Sequence, residues 1–555
     1  MIIKSILATI LLFVVLHYSL KGNNLKIDYL ESSLVRPIIV GFFLLFVLIF
    51  YLVPGSYYFP HNNGVLGDNY LHLYWAFDQP GFLKPHHPLF PLIPEKFIRL
   101  LMGIKFLSVD DPMFLEKAYY WSIFPVSFSM AVALLLFFHM IFRKGVSNAL
   151  LISIFFLFST SYGFWIWAIQ SNAIGISLAM ELLIAAVFIY WYNERSTWWS
   201  AVLAILIGAS IFLYNGLIYV ALGTYLSMLW VVFAQRNKRL QLKIKELLVP
   251  TGILLLMASG YYLLEAHINH TYSLKRIFSK LSEVEYEGGF GISNILSSME
   301  SNFWSGINWI VGFFYTSKYN YWEPIQVDVN FPPGANWIKA FQIGALFTLI
   351  IFIAIHFLKG KQKPSEDLLV FGLINSLIIF IGFTIRMAGT HYYVLALVPN
   401  LILLVSFIVG KSNQNIQWHY IIPIVAILLC NIFFNSFTKL SVFEGSNISD
   451  HPYYFENESI LNATKGEKAV YFKKMDLEYY PNKTLVLYYQ DKFKGTNWIT
   501  KWNDRNDLET KIDKSLEDSK EVFLSKDAND EVRHSKYSTN QLNEDLYLIS
   551  VVIDP

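Results

Sequence analysis

Between the apolar runs 37–53 and 119–142 lies the stretch GVLGDNYLHLYWAFDQPGFLKPHHPLFPLIPEKFIRLL, which sets Asp68, Asp78, His86, His87 and Glu95 close together in the chain. Carboxylates and imidazoles are the groups that move protons. A carboxylate within reach of a hydroxyl can take its proton as the oxygen attacks, a contribution of roughly 10²–10⁴-fold. His86 and His87 are adjacent on a Pro-flanked loop, a spacing unlike that with which imidazoles share a metal, so no metal is called for. Asp68 follows Gly67 and precedes an aromatic amphipathic stretch, so it reads either as a proton acceptor or as a helix cap.

The elements that must hold these groups are membrane spans. With 55% hydrophobic, 17% aromatic and only 15% charged residues over 555, the chain is not an ordinary soluble globule. Its net charge of +2 says nothing of a nucleic-acid partner, since the Lys and Arg fall in short clusters between apolar runs and form no basic face, and none is expected. The single Cys430 sits in an apolar run, so neither a disulfide framework nor a cysteine metal site is expected. Runs long enough to cross ~30 Å of hydrocarbon fall near 3–20, 36–53, 119–142, 149–168, 172–191, 198–214, 216–234, 247–265, 338–358, 368–385, 392–410 and 417–436. The expectation is an all-α polytopic membrane protein of about twelve transmembrane helices. Mid-span Glu181 reads as a functional ionisable group or as a protonated or paired helix contact.

Orientation follows from the basic residues. Arg143 and Lys144, the cluster from Arg236 to Lys245, Lys359 to Lys363, and Lys411 share one side if the segment 267–337 does not cross, and that side is the cytoplasm. Loops 54–118 and 267–337 and the tail 437–555 then lie outside. The tail changes character: strand-like runs KAVYFKK, TLVLYYQ, EVFLS and LYLISVVI alternate with turn-rich, helix-forming pieces such as DLETKIDKSLEDSKE. Three parts are expected: an extra helix and loop over 1–36, a transmembrane body over 37–436, and a small soluble α/β domain over 437–555 on the outer face.

The first outer loop, with an acidic residue near its start and the HPLFPL stretch further on, resembles that of the GT-C class of integral-membrane glycosyltransferases. It is most similar to the protein O-mannosyltransferase-like and aminoarabinose-transferase-like branches. RMAGTHYYVLALVPNLILL at 386–404 resembles the segment in which those families place an outer-face Arg at the mouth of a late span. Residues 92–107 have the mixed apolar and basic pattern of the interfacial helices found in such loops. The chain departs from the pattern in three places. Asn69 and Tyr70 follow Asp68 where a second acidic residue is usual, Gln170, Ser171 and Asn172 replace an acidic-aromatic pair, and LYNGLIY at 213–219 lacks His.

The resemblance implies transfer of a sugar from a polyprenyl-phosphate-linked donor to an acceptor at the outer face of a bacterial inner or plasma membrane. It assigns the general base to Asp68, with Asp78 and Glu95 as candidate second carboxylates. The leaving phosphate needs a cation, first Arg386, then Lys84, Arg99, Lys275 and Arg276. His86, His87, His391 and Tyr392 would line the acceptor and donor pocket. The donor is itself a substrate, so no cofactor or metal is required, and membrane lipids are the remaining partners. Two other readings stay open: a non-catalytic scaffold or lipid/glycan transporter, and an O-antigen polymerase or ligase centred on His270, Lys275 and Arg276.

Overall fold

The computed structural model of the protein describes residues 41, 45, 48–51, 89–108, 114–142, 148–168, 171, 173–234, 240–268, 270, 272–273, 335–359, 366–386, 397, 399–400, 402–403, 420–433, 452–464, 469–474, 496–518, 521–543 and 546–551. An apolar run in hydrocarbon must satisfy its own backbone N–H and C=O groups, so it becomes helix. The described helices are α1 (Leu92–Gly103), α2 (Phe114–Phe142), α3 (Asn148–Thr160), α4 (Tyr162–Ala168), α5 (Ala173–Glu194), α6 (Thr197–Leu213), α7 (Ile218–Phe233), α8 (Leu240–Ile268), α9 (Ala335–Lys359), α10 (Glu366–Arg386) and α11 (Tyr420–Phe433). Among the described residues three stretches are long and apolar enough to cross a membrane, Tyr120–Ile141, Ala173–Glu194 and Glu246–Ile268, with shorter apolar helices in α6, α7, α9, α10 and α11. The expected span at 3–20 lies outside the described residues.

One run departs from a simple span. Residues 149–168 form two helices that break at Ser161. Three successive hydroxyls turn back on the chain there: Thr160 Oγ1 donates to the Phe156 carbonyl at 2.7 Å, Ser161 Oγ to that of Phe158 at 2.7 Å, and Ser159 Oγ to that of Phe156 at 3.2 Å. Such back-bonds compete with the helical ladder. The Tyr51 hydroxyl takes the carbonyl of Ser159 at 3.1 Å, and Phe164, Trp165 and Trp167 fill the space beyond the break.

α5 is the centre of the bundle, buried along most of its length and packed between α2 and α6. Its approach to α2 and α4 depends on Gly175, where a Cβ would lie 2.4 Å from Val126 Cγ1 and 2.6 Å from the Trp167 carbonyl. Phe188 stacks on Phe371 of α10 with ring centroids 3.9 Å apart. α10 in turn lies against α7, where Asn375 accepts from Thr224 Oγ1 and donates to Ser227 Oγ, both at 3.3 Å. In lipid there is no hydrophobic drive between helices, so small residues and interhelical hydrogen bonds of this type set which faces meet.

Beyond the bundle, α12 (Pro452–Thr464), β1 (Ala469–Phe472), β2 (Thr496–Ile499), α13 (Arg505–Glu517), β3 (Glu521–Ser525), α14 (Lys526–Glu531), β4 (Tyr537–Asn543) and β5 (Leu546–Val551) build a five-stranded mixed sheet. The order is β2-β1-β3-β5-β4, parallel across β2, β1 and β3 and antiparallel from β3 through β5 to β4. Its core joins Val470, Phe472, Val522 and Leu524 to Leu508 and Ile512 of α13.

An ion pair fastens α13 to the segment before β4. Arg533 Nε donates to both oxygens of the buried Glu509 carboxylate at 3.0 and 2.9 Å, and Nη2 of Arg533 completes the fork. The guanidinium holds the Glu509 carboxyl below the usual glutamate range. A carboxyl lowered on folding contributes stability that is fully present above its unfolded value and is lost as pH falls through its folded value. Hydrogen exchange across 505–551 of the full-length protein, corrected for intrinsic rate, should therefore rise below about pH 4. In Glu509→Gln it should already be faster at neutral pH and respond less to acid. An unchanged acid response in that variant would remove Glu509 from the account.

Candidate functional site

Of the residues that the resemblance assigns to the base, phosphate and pocket roles, Glu95 and Arg99 have described side chains. α1 forms after a turn in which the amide N–H groups of Leu92 and Ile93 donate to the carbonyls of Leu89 and Phe90 at 3.2 and 3.0 Å. Glu95 lies in its first turn, where a negative charge complements the helix dipole. It faces inward with Pro94, Ile98 and Leu101, and is only 2% exposed. Arg99, one turn on, reaches back with Nε 3.0 Å from Glu95 Oε1, and Lys96 Nζ stands 3.3 Å from the same oxygen. α1 packs on α2 through Phe97, stacked on Phe124, and through Phe106 just beyond its end, edge-on to Trp121. Any phosphate bound by Arg99 would compete with Glu95 for the guanidinium.

Arg386 is the last residue of α10, and its side chain lies outside the described residues. Asp68, Asp78, Lys84, His86, His87, Lys275, Arg276, His391 and Tyr392 also lie outside them. The described structure thus gives the frame around the proposed catalytic loop: the segment that ends it, the helix that follows, and the bundle end on which they rest.

That bundle end carries polar groups the sequence reading passed over. The Leu89 amide donates to the Phe212 carbonyl at 3.0 Å, tying the segment before α1 to the end of α6. The Phe212 ring meets Tyr261 of α8 edge-on, with centroids 5.5 Å apart. Tyr261 donates its hydroxyl to Glu265 Oε1 at 3.0 Å, and the Glu265 side chain is wholly buried. The available signal was Tyr-x-x-x-Glu in the last turns of an apolar run, a spacing that stacks the two side chains on one helix face.

Ser171, in the turn between α4 and α5, is buried, and its hydroxyl has no hydrogen-bond partner among the described residues. It belongs to the Gln170–Asn172 stretch that departs from the GT-C pattern. Glu181, within α5, is 5% exposed, and its Oε2 likewise lacks a hydrogen-bond partner among the described residues. No group of three or more His, Cys, Asp or Glu that could hold a metal ion occurs among the described residues.

No family model matches the chain, and no curated protein does. Solved structures do. ArnT from Cupriavidus metallidurans in the apo state superposes with a TM-score of 0.53 at 10% identity, covering 93% of this chain and 98% of that one. ArnT from the same organism bound to undecaprenyl phosphate gives 0.51 at 10% identity over the same shares. The resemblance read from residues 67–93 and 386–404 is met at the level of the fold: over nearly its whole length this chain is folded like ArnT, a GT-C glycosyltransferase.

Proposed function

We infer that the protein is an integral-membrane glycosyltransferase that moves a sugar from a polyprenyl-phosphate-linked donor to an acceptor at the outer face of a bacterial inner membrane. The observation that carries this reading is the fold likeness to ArnT over 93% of the chain, which includes the form bound to undecaprenyl phosphate. The chain's own residues supply a consistent chemistry. The donor keeps its lipid in the bilayer and its phosphate at the interface, beside Arg386 at the end of α10. An acceptor hydroxyl attacks the anomeric carbon and the bond from that carbon to the phosphate oxygen breaks. The hydroxyl proton passes to Asp68, and the polyprenyl phosphate leaves with the pair of electrons, its charge met by Arg386. The tail that holds the mixed sheet lies on the same outer side; the basic clusters between the apolar runs support this orientation, with the segment 267–337 not crossing.

The deciding experiment incubates the detergent-purified protein with a panel of polyprenyl-phosphate hexoses and pentoses and measures release of polyprenyl phosphate. At least one donor should be consumed. A protein that binds polyprenyl phosphate yet consumes none of the panel would instead be a scaffold or lipid transporter.

A further inference from the structure

Glu265 is an expensive residue to bury. A carboxylate wholly removed from water costs several kcal/mol unless it is hydrogen-bonded, and two apolar side chains would join α6 to α8 without that cost. A polar pair at such a place fixes direction, because a hydrogen bond has an angle and an apolar contact does not. What Tyr261 and Glu265 direct can be followed through contacts already described. Glu265 holds the Tyr261 hydroxyl, the Tyr261 ring holds Phe212, the Phe212 carbonyl holds the Leu89 amide, and from Leu89 the chain turns into α1 with Glu95 and Arg99. On the other side of the same helix turn, Tyr262 donates its hydroxyl to the Tyr272 carbonyl at 2.5 Å, fixing the start of the 267–337 loop. One turn of α8 therefore connects both to Leu89, where the chain enters α1, and to Tyr272, just beyond its own end.

We propose that Tyr261 and Glu265 are positioning residues: the pair is the seat that sets the angle of α1, which carries Glu95 and Arg99, for transfer from the lipid-phosphate donor. The inference rests on the glycosyltransferase reading for its consequence in rate, and on the contacts alone for its consequence in geometry. Tyr261→Phe keeps the ring against Phe212 and removes only the hydroxyl. Glu265→Gln keeps an oxygen that can accept from that hydroxyl.

The test uses the full-length protein with its sole cysteine removed as Cys430→Ala and a spin label attached through Leu100→Cys, an exposed position on α1. In this background Tyr261→Phe should raise label mobility and lower kcat by roughly 10–100-fold, the scale set by small misplacement of reacting groups. KM for the donor should stay within about twofold of the parent, because binding through the lipid is untouched. Glu265→Gln, made with Tyr261 intact, should leave both readouts close to the parent, because the Gln carbonyl oxygen still accepts from the Tyr261 hydroxyl. An unchanged label in Tyr261→Phe overturns the seat, and so does a lowered melting temperature with kcat and KM unmoved. If the label loosens in a protein that consumes no donor at all, the seat stands and the glycosyltransferase reading falls instead.

Discussion

Asp68→Asn should lower turnover of the lipid-phosphate donor by roughly 10²–10⁴-fold, the usual contribution of a general base, while folding and donor binding persist. Asn matches the size of Asp but does not take up a proton, so the substitution removes one property and leaves the shape. It also discriminates against the structural alternative. If Asp68 merely caps a helix, Asn caps about as well and activity survives. Asp68→Ala separates the two further, since a lost cap costs ~1 kcal/mol and lowers the melting temperature. Asp78→Asn changes charge in the same loop and should leave most activity in place. A fully active, normally folded Asp68→Asn protein would end the role of Asp68 and move attention to Asp78 and Glu95. Of these Glu95 starts at a disadvantage, because Arg99 and Lys96 already stand on its carboxylate.

The second large effect concerns the leaving phosphate. Arg386→Ala should reduce kcat/KM for the donor by roughly 10–100-fold, corresponding to a charge-assisted contact of about 1.5–3 kcal/mol. Arg386→Lys should lose less, since a point charge remains while the forked pair of donors is gone. Arg386 is the last residue of α10. Should both variants turn over donor like the parent, Arg386 is only an interfacial anchor.

The spans were the most legible part of the sequence, since twenty apolar residues in a bilayer have one solution. The runs at 119–142, 172–191, 198–214, 216–234, 247–265, 338–358 and 368–385 coincide with α2, α5, α6, α7, α8, α9 and α10 to within a few residues at most ends. The break at Ser161 was not legible, because hydropathy does not register a Ser-Thr-Ser step whose hydroxyls bond to the backbone. In the tail, the runs KAVYFKK, EVFLS and LYLISVVI contain β1, β3 and β5, the three inner strands. β2 and β4 escaped notice for a physical reason: they are the edges of the sheet, and TNWI and YSTNQLN carry the polar residues that edges tolerate. TLVLYYQ lies outside the described residues. For the site, hydropathy found the helix that carries Glu95 and Arg99, but left Tyr261 and Glu265 inside the run 247–265 with no role of their own. Burial, which only tertiary packing decides, gives that pair its meaning.

Among the described residues, α8 has one side against α6 and little against anything else. Only 11% of its most apolar window, within Glu246–Ile268, is buried by protein, and Leu248, Leu255, Leu256 and Leu263 are all more than half exposed. Where the exposed side meets lipid, acyl chains hold the helix from behind, and the medium around the molecule acts as one of its walls. The wall has a thickness, and a helix tilts when its apolar length and that thickness disagree. Because the last turns of α8 carry Tyr261, Tyr262 and Glu265, tilt there would be passed on to Leu89 ahead of α1 and to Tyr272. The same preparation should then work at different speeds in a short-chain micelle and in a bilayer of natural depth, and bilayer thickness becomes a dial on the reaction as much as a condition for keeping the protein folded.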